Sequence, residues 1–220
     1  MSIFHHHPTD FSLARYAAGT LERGPALVIA AHLEACGACR ERVSDFEMIG
    51  GAFLEDLPPV AMEPHALSRA FARIEMPAGV ATAAIRRPVR ALEPIEGLSL
   101  PRALRQCDIG RWRWGGPGVR WSRVGLPGDE RADVKLLRIG AGRKMPHHGH
   151  TGTEFTLVLK GSFSDETGHY RPGDLVEADA ETEHQPVVDA DGECICLAAV
   201  EGRLRLGGFL GRLLQPLTGA

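Results

Sequence analysis

Histidine, cysteine and carboxylate side chains bind transition metals, and this chain gathers them into two short stretches. The first holds His148, His150 and Glu154, with His184 following the turn Pro172-Gly173-Asp174. In an extended backbone the side chains alternate faces with a period of two, so His148, His150 and Glu154 can all point to one side of a strand. Together with His184 they form a pocket for a divalent ion, and the donor set suits Zn, Fe(II), Mn and Ni alike. The second stretch is His32-Leu-Glu-Ala-Cys36-Gly-Ala-Cys39. Read as helix, its three ligand-type residues stand at i, i+4 and i+7 on one face. Two thiolates and an imidazole are a zinc-seeking set that lacks one ligand for a tetrahedron. A returning hairpin would supply it from His5, His6 or His7, and the triple leaves that choice open.

Those ligands need elements to hold them. Thr9 or Asp10 can cap a short helix that Gly19 ends. The stretch from Glu22 to Glu55 reads as helical, with Leu27, Val28, Ala31, Cys39, Val43, Phe46 and Ile49 as buried positions and Gly50-Gly51 as a break. After Pro58-Pro59 a further helix is expected over 63–75, where Leu67, Ala70, Phe71 and Ile74 recur at i, i+3, i+4 and i+7. Such a face either packs on its own domain or docks into the groove of a partner. Residues 77–94, rich in Pro and Ala and carrying Arg86, Arg87 and Arg90, read as a linker.

Beyond the linker come short strands punctuated by glycine and proline, at 111–114, 119–124, 134–139, 154–163, 174–178, 194–200 and 204–206. Their spacing predicts a β-barrel or jelly roll, with Trp112, Trp114 and Trp121 in its core. Cys194 and Cys196 face the same way on a late strand, either as ordinary core or as a redox pair beside the metal pocket. A bridge between residues at i and i+2 would distort that strand. The expected architecture is multidomain, α plus β: a helical domain over 1–76, a linker over 77–94 and a barrel over 95–220.

Composition narrows the function. Apolar residues make up 44% of the 220, enough to build a core. Basic and acidic residues number 9 and 10 within 1–92 and 16 and 18 beyond, so neither half offers a basic surface to nucleic acid. The longest uncharged apolar run near the N-terminus, 25–33, is too short to cross a bilayer and contains His32. The first residues lack the basic stub and apolar run of a signal peptide, so the expected compartment is the cytoplasm. Five cysteines, Cys36/Cys39, Cys107 and Cys194/Cys196, suit metal or redox chemistry better than a secreted disulfide framework.

The spacing Gly142-(x5)-His148-Gly-His150-(x3)-Glu154-(x6)-Gly161 resembles the first cupin motif. Pro172-Gly173-Asp174 followed by His184 resembles a loose second motif, with Glu183 near the position of the usual glycine. His32-x3-Cys36-x2-Cys39 resembles the signature of zinc-binding anti-sigma factors. In that family the fourth ligand is a histidine shortly before the first helix, and the match here, nine residues before Tyr16 of Tyr16-Ala17-Ala18-Gly19, is His7. Both signatures in one chain, with Leu157-Val-Leu-Lys-Gly161, Asp165-Glu166-Thr167 and Cys194-Ile-Cys196, resemble the ChrR-type anti-sigma factors.

The resemblance implies a zinc-binding helical domain whose fourth helix, through Leu67, Ala70, Phe71 and Ile74, clamps an extracytoplasmic-function-type sigma factor. A cupin sensor would then free the sigma factor on an oxidative signal. The implied cofactors are zinc on His7, His32, Cys36 and Cys39, and zinc or another divalent transition metal on His148, His150, Glu154 and His184. Neither direct nucleic-acid binding, nor membrane binding, nor catalysis is implied. A rival reading gives the cupin ligands to a metal-dependent enzyme of the iron dioxygenase type, with the zinc domain as its regulator. The ligand set alone does not separate the two.

Overall fold

A computed structural model describes residues 4–75 and 98–206; the expected linker at 77–94 and the last residues of the expected barrel lie outside the described residues. Helices come first: α1 (Asp10–Ala17), α2 (Arg23–Leu33), α3 (Gly37–Glu55) and α4 (Ala66–Glu75). Thr9 caps α1, its side-chain oxygen accepting from the Ser12 N–H. The helix expected over Glu22–Glu55 is two helices, and the break falls inside the cysteine motif. The N–H groups of Ala35 and Cys36 both turn back to the His32 carbonyl, and Cys36 sits extended at the N-cap of α3 (φ −92°, ψ 104°). His32, Cys36 and Cys39 therefore do not share one helix face. Gly50-Gly51 breaks nothing: glycine costs a helix only about 1 kcal/mol per residue, and α3 runs through the pair for 19 residues.

The strands are β1 (Asp108–Ile109), β2 (Arg113–Gly116), β3 (Val119–Gly125), β4 (Val134–Ile139), β5 (His148–His150) and β6 (Glu154–Lys160). After them come β7 (Phe163–Ser164), β8 (His169–Tyr170), β9 (Leu175–Ala178), β10 (Val187–Val188), β11 (Cys194–Val200) and β12 (Leu204–Leu206). The large sheet is antiparallel in the order β1-β3-β4-β11-β6-β9, with β2 added beside β3. Smaller sheets, β10-β7-β8 and β12-β5, complete the strand region. The strand expected over 154–163 ends at Lys160, where Gly161 takes φ +69° and turns the chain into β7.

Both faces of the large sheet are covered, which explains why β11 reads Cys-Ile-Cys-Leu-Ala-Ala-Val with no polar alternation. One face meets the small sheet through Ile139, Val158, Phe163, Tyr170, Val176 and Cys196. The other meets the helices, where Leu13, Val28 and Ile29 share a core with Leu136, Phe155, Leu157, Leu175 and Leu197. Gly24 lets α2 approach, since a Cβ there would stand 3.1 Å from the Val134 side chain. The tryptophans expected inside depart from that reading. Trp114 is 76% exposed on β2 at the sheet margin, Trp112 only flanks the core, and Trp121 is half-buried beneath Arg113 and Lys135.

Candidate metal centres and partner surface

The structure brings His7, His32, Cys36 and Cys39 together, with one donor atom from each within 4.8 Å of every other. His32 closes α2, Cys36 caps α3, Cys39 lies in its first turn, and His7 arrives on the extended segment before α1. His7 Nδ1 stands 3.4 Å from Cys36 Sγ and 3.3 Å from Cys39 Sγ, and His32 Nε2 is 3.4 Å from Cys39 Sγ. With Zn–S near 2.3 Å and Zn–N near 2.0–2.1 Å, the N···S edges of a tetrahedron are about 3.5 Å, so the donor set and its spacing fit zinc. Burial draws the His32 pKa down to about 4 against the Gly173 carbonyl bond, and burial with the adjacent Cys36 pushes the Cys39 thiol up to about 12. The imidazole is therefore neutral and ready to ligate, whereas the Cys39 thiol must shed its proton as an ion enters.

His148, His150, Glu154 and His184 form the second group within the same limit. The two histidines of β5 share a face, as the period-two reading required. Glu154 joins them from the start of β6 after the Thr151–Thr153 loop, not as a continuation of one strand. His184 reaches in beside β5 through a bridge to His148. Its Nε2 is 3.1 Å from His148 Nε2 and 3.5 Å from Glu154 Oε2. His150 Nε2 stands 3.1 Å from the same oxygen, yet neither of its ring nitrogens, fully buried, completes a hydrogen bond. Buried polar atoms without a partner are rare, and three converging Nε2 atoms beside a carboxylate are what a divalent ion satisfies. The group fits such an ion. Burial works against the charge on Glu154, but the His150 and His184 imidazoles outweigh it and hold this carboxyl well below its ordinary range.

Reasoning from sequence quoted Asp165 only as part of a motif and gave it no role. Its side chain is fully buried, and Oδ2 lies 3.0 Å from His184 Nδ1 while Oδ1 accepts from Thr167. The pair holds His184 up at about 9, Asp165 and Glu154 outweighing burial. It holds Asp165 down at about 2, where the His184 and Thr167 bonds likewise outweigh burial. The Pro146 carbonyl does the same service for His148 Nδ1 at 2.7 Å. These bonds leave both Nε2 atoms for the ion. A carboxylate 19 residues before a ligand histidine carries no periodic signal, so only the fold could reveal it.

An apolar cavity of about 50 Å³ adjoins this group, lined by Ile139, Met145, Phe163, Val176, Val188 and Cys196 beside His148, Glu154 and His184. Cys194 and Cys196 lie buried with their sulfurs 3.5 Å apart. The bond to Cys194 and burial, with Glu154 adding, raise the Cys196 pKa, so in the metal-free protein this residue is a thiol. Elsewhere, α4 buries none of its residues: Leu67, Phe71 and Ile74 are 66%, 56% and 77% exposed, and Ala70 is exposed with them. Ile49, expected inside, is 53% exposed, and with Met48, Phe53 and Leu54 it makes an apolar tail on α3 that sequence reasoning missed.

Residues 101–201 match the family described as the ChrR cupin-like domain. Over 211 residues, 96% of this chain and 96% of the relative, the sequence is 40% identical to the anti-sigma-E factor ChrR of Cereibacter sphaeroides. A chain in the crystal structure of Rhodobacter sphaeroides SigE in complex with the anti-sigma ChrR superposes with a TM-score of 0.71 at 37% identity. The match covers 90% of this chain and 99% of that one.

Proposed function

This chain belongs to the ChrR family of anti-sigma factors, and we propose that it sequesters an extracytoplasmic-function-type sigma factor and releases it on an oxidative signal sensed through its cupin. The observation that carries the reading is the apolar surface left bare on the helical part. Leu67, Ala70, Phe71 and Ile74 line one face of α4 without being buried among the described residues, and the exposed Phe53 and Leu54 of α3 add to the apolar surface. A helix with such a face seats itself in a groove of a partner. The net charge of −3 and its even distribution favour a protein partner over nucleic acid.

His7, His32, Cys36 and Cys39 are the zinc ligands in this reading. Zinc bound there supplies folding energy, on the order of 10 kcal/mol in small zinc domains, by tying the N-terminal segment to α2 and α3. The cupin group, His148, His150, Glu154 and His184, holds zinc or another divalent transition metal. Cys194 and Cys196 are the route for the oxidant: two thiols give up two protons and two electrons to it and close a disulfide. Their sulfurs must approach from 3.5 Å to about 2.05 Å. That movement bends β11 at its irregularity between Ile195 and Cys196, and β11 pairs with β6 as far as Glu154.

We read the chain as a regulator and not an enzyme. The cavity beside the cupin ligands, about 50 Å³, is small against the roughly 300–1,000 Å³ of pockets that enclose drug-sized ligands. Among the described residues no helix is long and apolar enough to cross a membrane, and a sigma factor works in the cytoplasm, where we place this chain. The test is transcription from a promoter of the cognate sigma factor with purified components. Added chain should suppress it and an oxidant restore it; undiminished transcription at saturating chain refutes the proposal.

A further inference from the structure

Besides Asp165, whose side chain is buried behind His184, eight polar residues are buried in the described part of the chain, and burying a polar group costs stability unless it is bonded. Five of the eight are candidate ligands, and Ser122 donates to the Gly110 carbonyl. The other two, Ser12 and Asp174, lie in the seam between helices and cupin. Asp174 gives one carboxylate oxygen to the Arg171 N–H of its own turn. The other accepts from the N–H groups of His5 (2.8 Å) and His6 (3.1 Å), while the His6 carbonyl accepts from the Leu175 N–H at 3.1 Å. Three residues on, Glu177 accepts from the Thr9 N–H (2.5 Å), the Thr9 hydroxyl (3.1 Å) and the Ser12 hydroxyl. His7 lies between these two anchor points. Across the same group the Gly173 carbonyl accepts from His32 Nδ1 at 2.9 Å, which leaves Nε2 to face Cys39. Gly173 has φ +95° and lies against the Phe4 ring, so no side chain fits there.

We infer that Gly173, Asp174 and Glu177 of the cupin are positioning residues for the N-terminal zinc site, so that the grip of the helical domain on its metal depends on where the cupin holds β9. The inference rests on reading His7, His32, Cys36 and Cys39 as that site. Two of the four ligands take their orientation from residues more than 140 positions away, in the other domain. Partners of this kind typically contribute 10–100-fold to metal affinity. β9 pairs with β6, and Ala178 stands opposite Glu154, so the strand that anchors His7 neighbours the strand that carries the cupin carboxylate ligand. Coupling between binding sites is reciprocal: a cupin state that shifts β9 loosens the zinc, and loss of zinc loosens β9.

Cobalt(II) reads this site selectively, because a thiolate-ligated ion gives a sulfur-to-metal charge-transfer band and an ion held by imidazole and carboxylate does not. Competition with a chelator then measures its affinity in the full-length parent and in the Asp174→Asn, Glu177→Ala and Glu177→Gln variants. Asp174→Asn and Glu177→Ala should hold the ion about 10–100-fold more weakly, with the cupin ion retained. Glu177→Gln keeps one carbonyl oxygen for the Thr9 N–H and should fall between them and the parent. Because it preserves size at a half-buried position, it carries the test if the alanine variant does not fold. Folded variants that all bind within roughly twofold of the parent, well short of the 10–100-fold such partners give, overturn the inference. A parent without the band is a separate failure, that of the zinc assignment itself.

Discussion

Replacing Leu67, Phe71 and Ile74 together by alanine separates partner binding from folding. These side chains are 66%, 56% and 77% exposed in the free chain, so that fraction of each is available for burial against a partner. Full burial of such a side chain contributes about 1.5–3 kcal/mol, and scaling by the exposed fraction leaves roughly 1–2 kcal/mol each. At 1.4 kcal/mol per factor of ten, Phe71→Ala alone, the least exposed of the three, should weaken sigma-factor binding about 4–16-fold. The triple variant loses roughly 3–6 kcal/mol if the sites add, about two to four orders of magnitude in Kd. Calorimetric titration of the sigma factor measures the loss, and thermal unfolding of the free chain is the control. Because α4 buries nothing at home, the unfolding free energy should stay within about 0.5 kcal/mol of the parent. A triple variant that binds like the parent refutes docking through α4. One that binds poorly and also melts early refutes the claim that this face is unpartnered in the free chain.

Cys36→Ser or Cys39→Ser should each release about one zinc per chain and abolish sigma-factor binding, because opening a structural site removes the folding energy it supplies; metal analysis with a pull-down checks both. Glu154→Ala removes the only anionic cupin ligand, and transcription assays should find suppression intact but release by oxidant altered, since the element biased by a signal need not touch the partner. Asp165→Asn should weaken cupin metal binding about 10–100-fold while leaving the thiolate site unchanged, measured by competition with a chelator. In Cys194→Ser/Cys196→Ser, release of the sigma factor by oxidant should be lost; release equal to the parent's would move the sensor away from the cupin.

Both candidate ligand sets were legible in the sequence because their spacing is local: His32, Cys36 and Cys39 within eight residues, and His148, His150 and Glu154 within seven. The amphipathic face of α4 was legible for the same reason, since its period of 3.6 needs no tertiary partner to be seen. Geometry was not. The helix over Glu22–Glu55 breaks at the very residues that must converge, because ligands strung along one straight helix rise 1.5 Å per residue and cannot surround an ion. Glu154 reaches its neighbours from a second strand after a loop. The fate of Trp114 was undecidable too, since a tryptophan on a short strand is core or surface according to which side of the sheet margin it occupies. What only the tertiary structure decided is therefore contact between residues far apart in sequence: Asp165 behind His184, Val28 and Ile29 in one core with Phe155 and Leu197, and Asp174 and Glu177 holding the segment that presents His7. Local propensity and periodicity act over a few residues, whereas these contacts exist only once the chain has closed on itself and each buried polar group has found a partner.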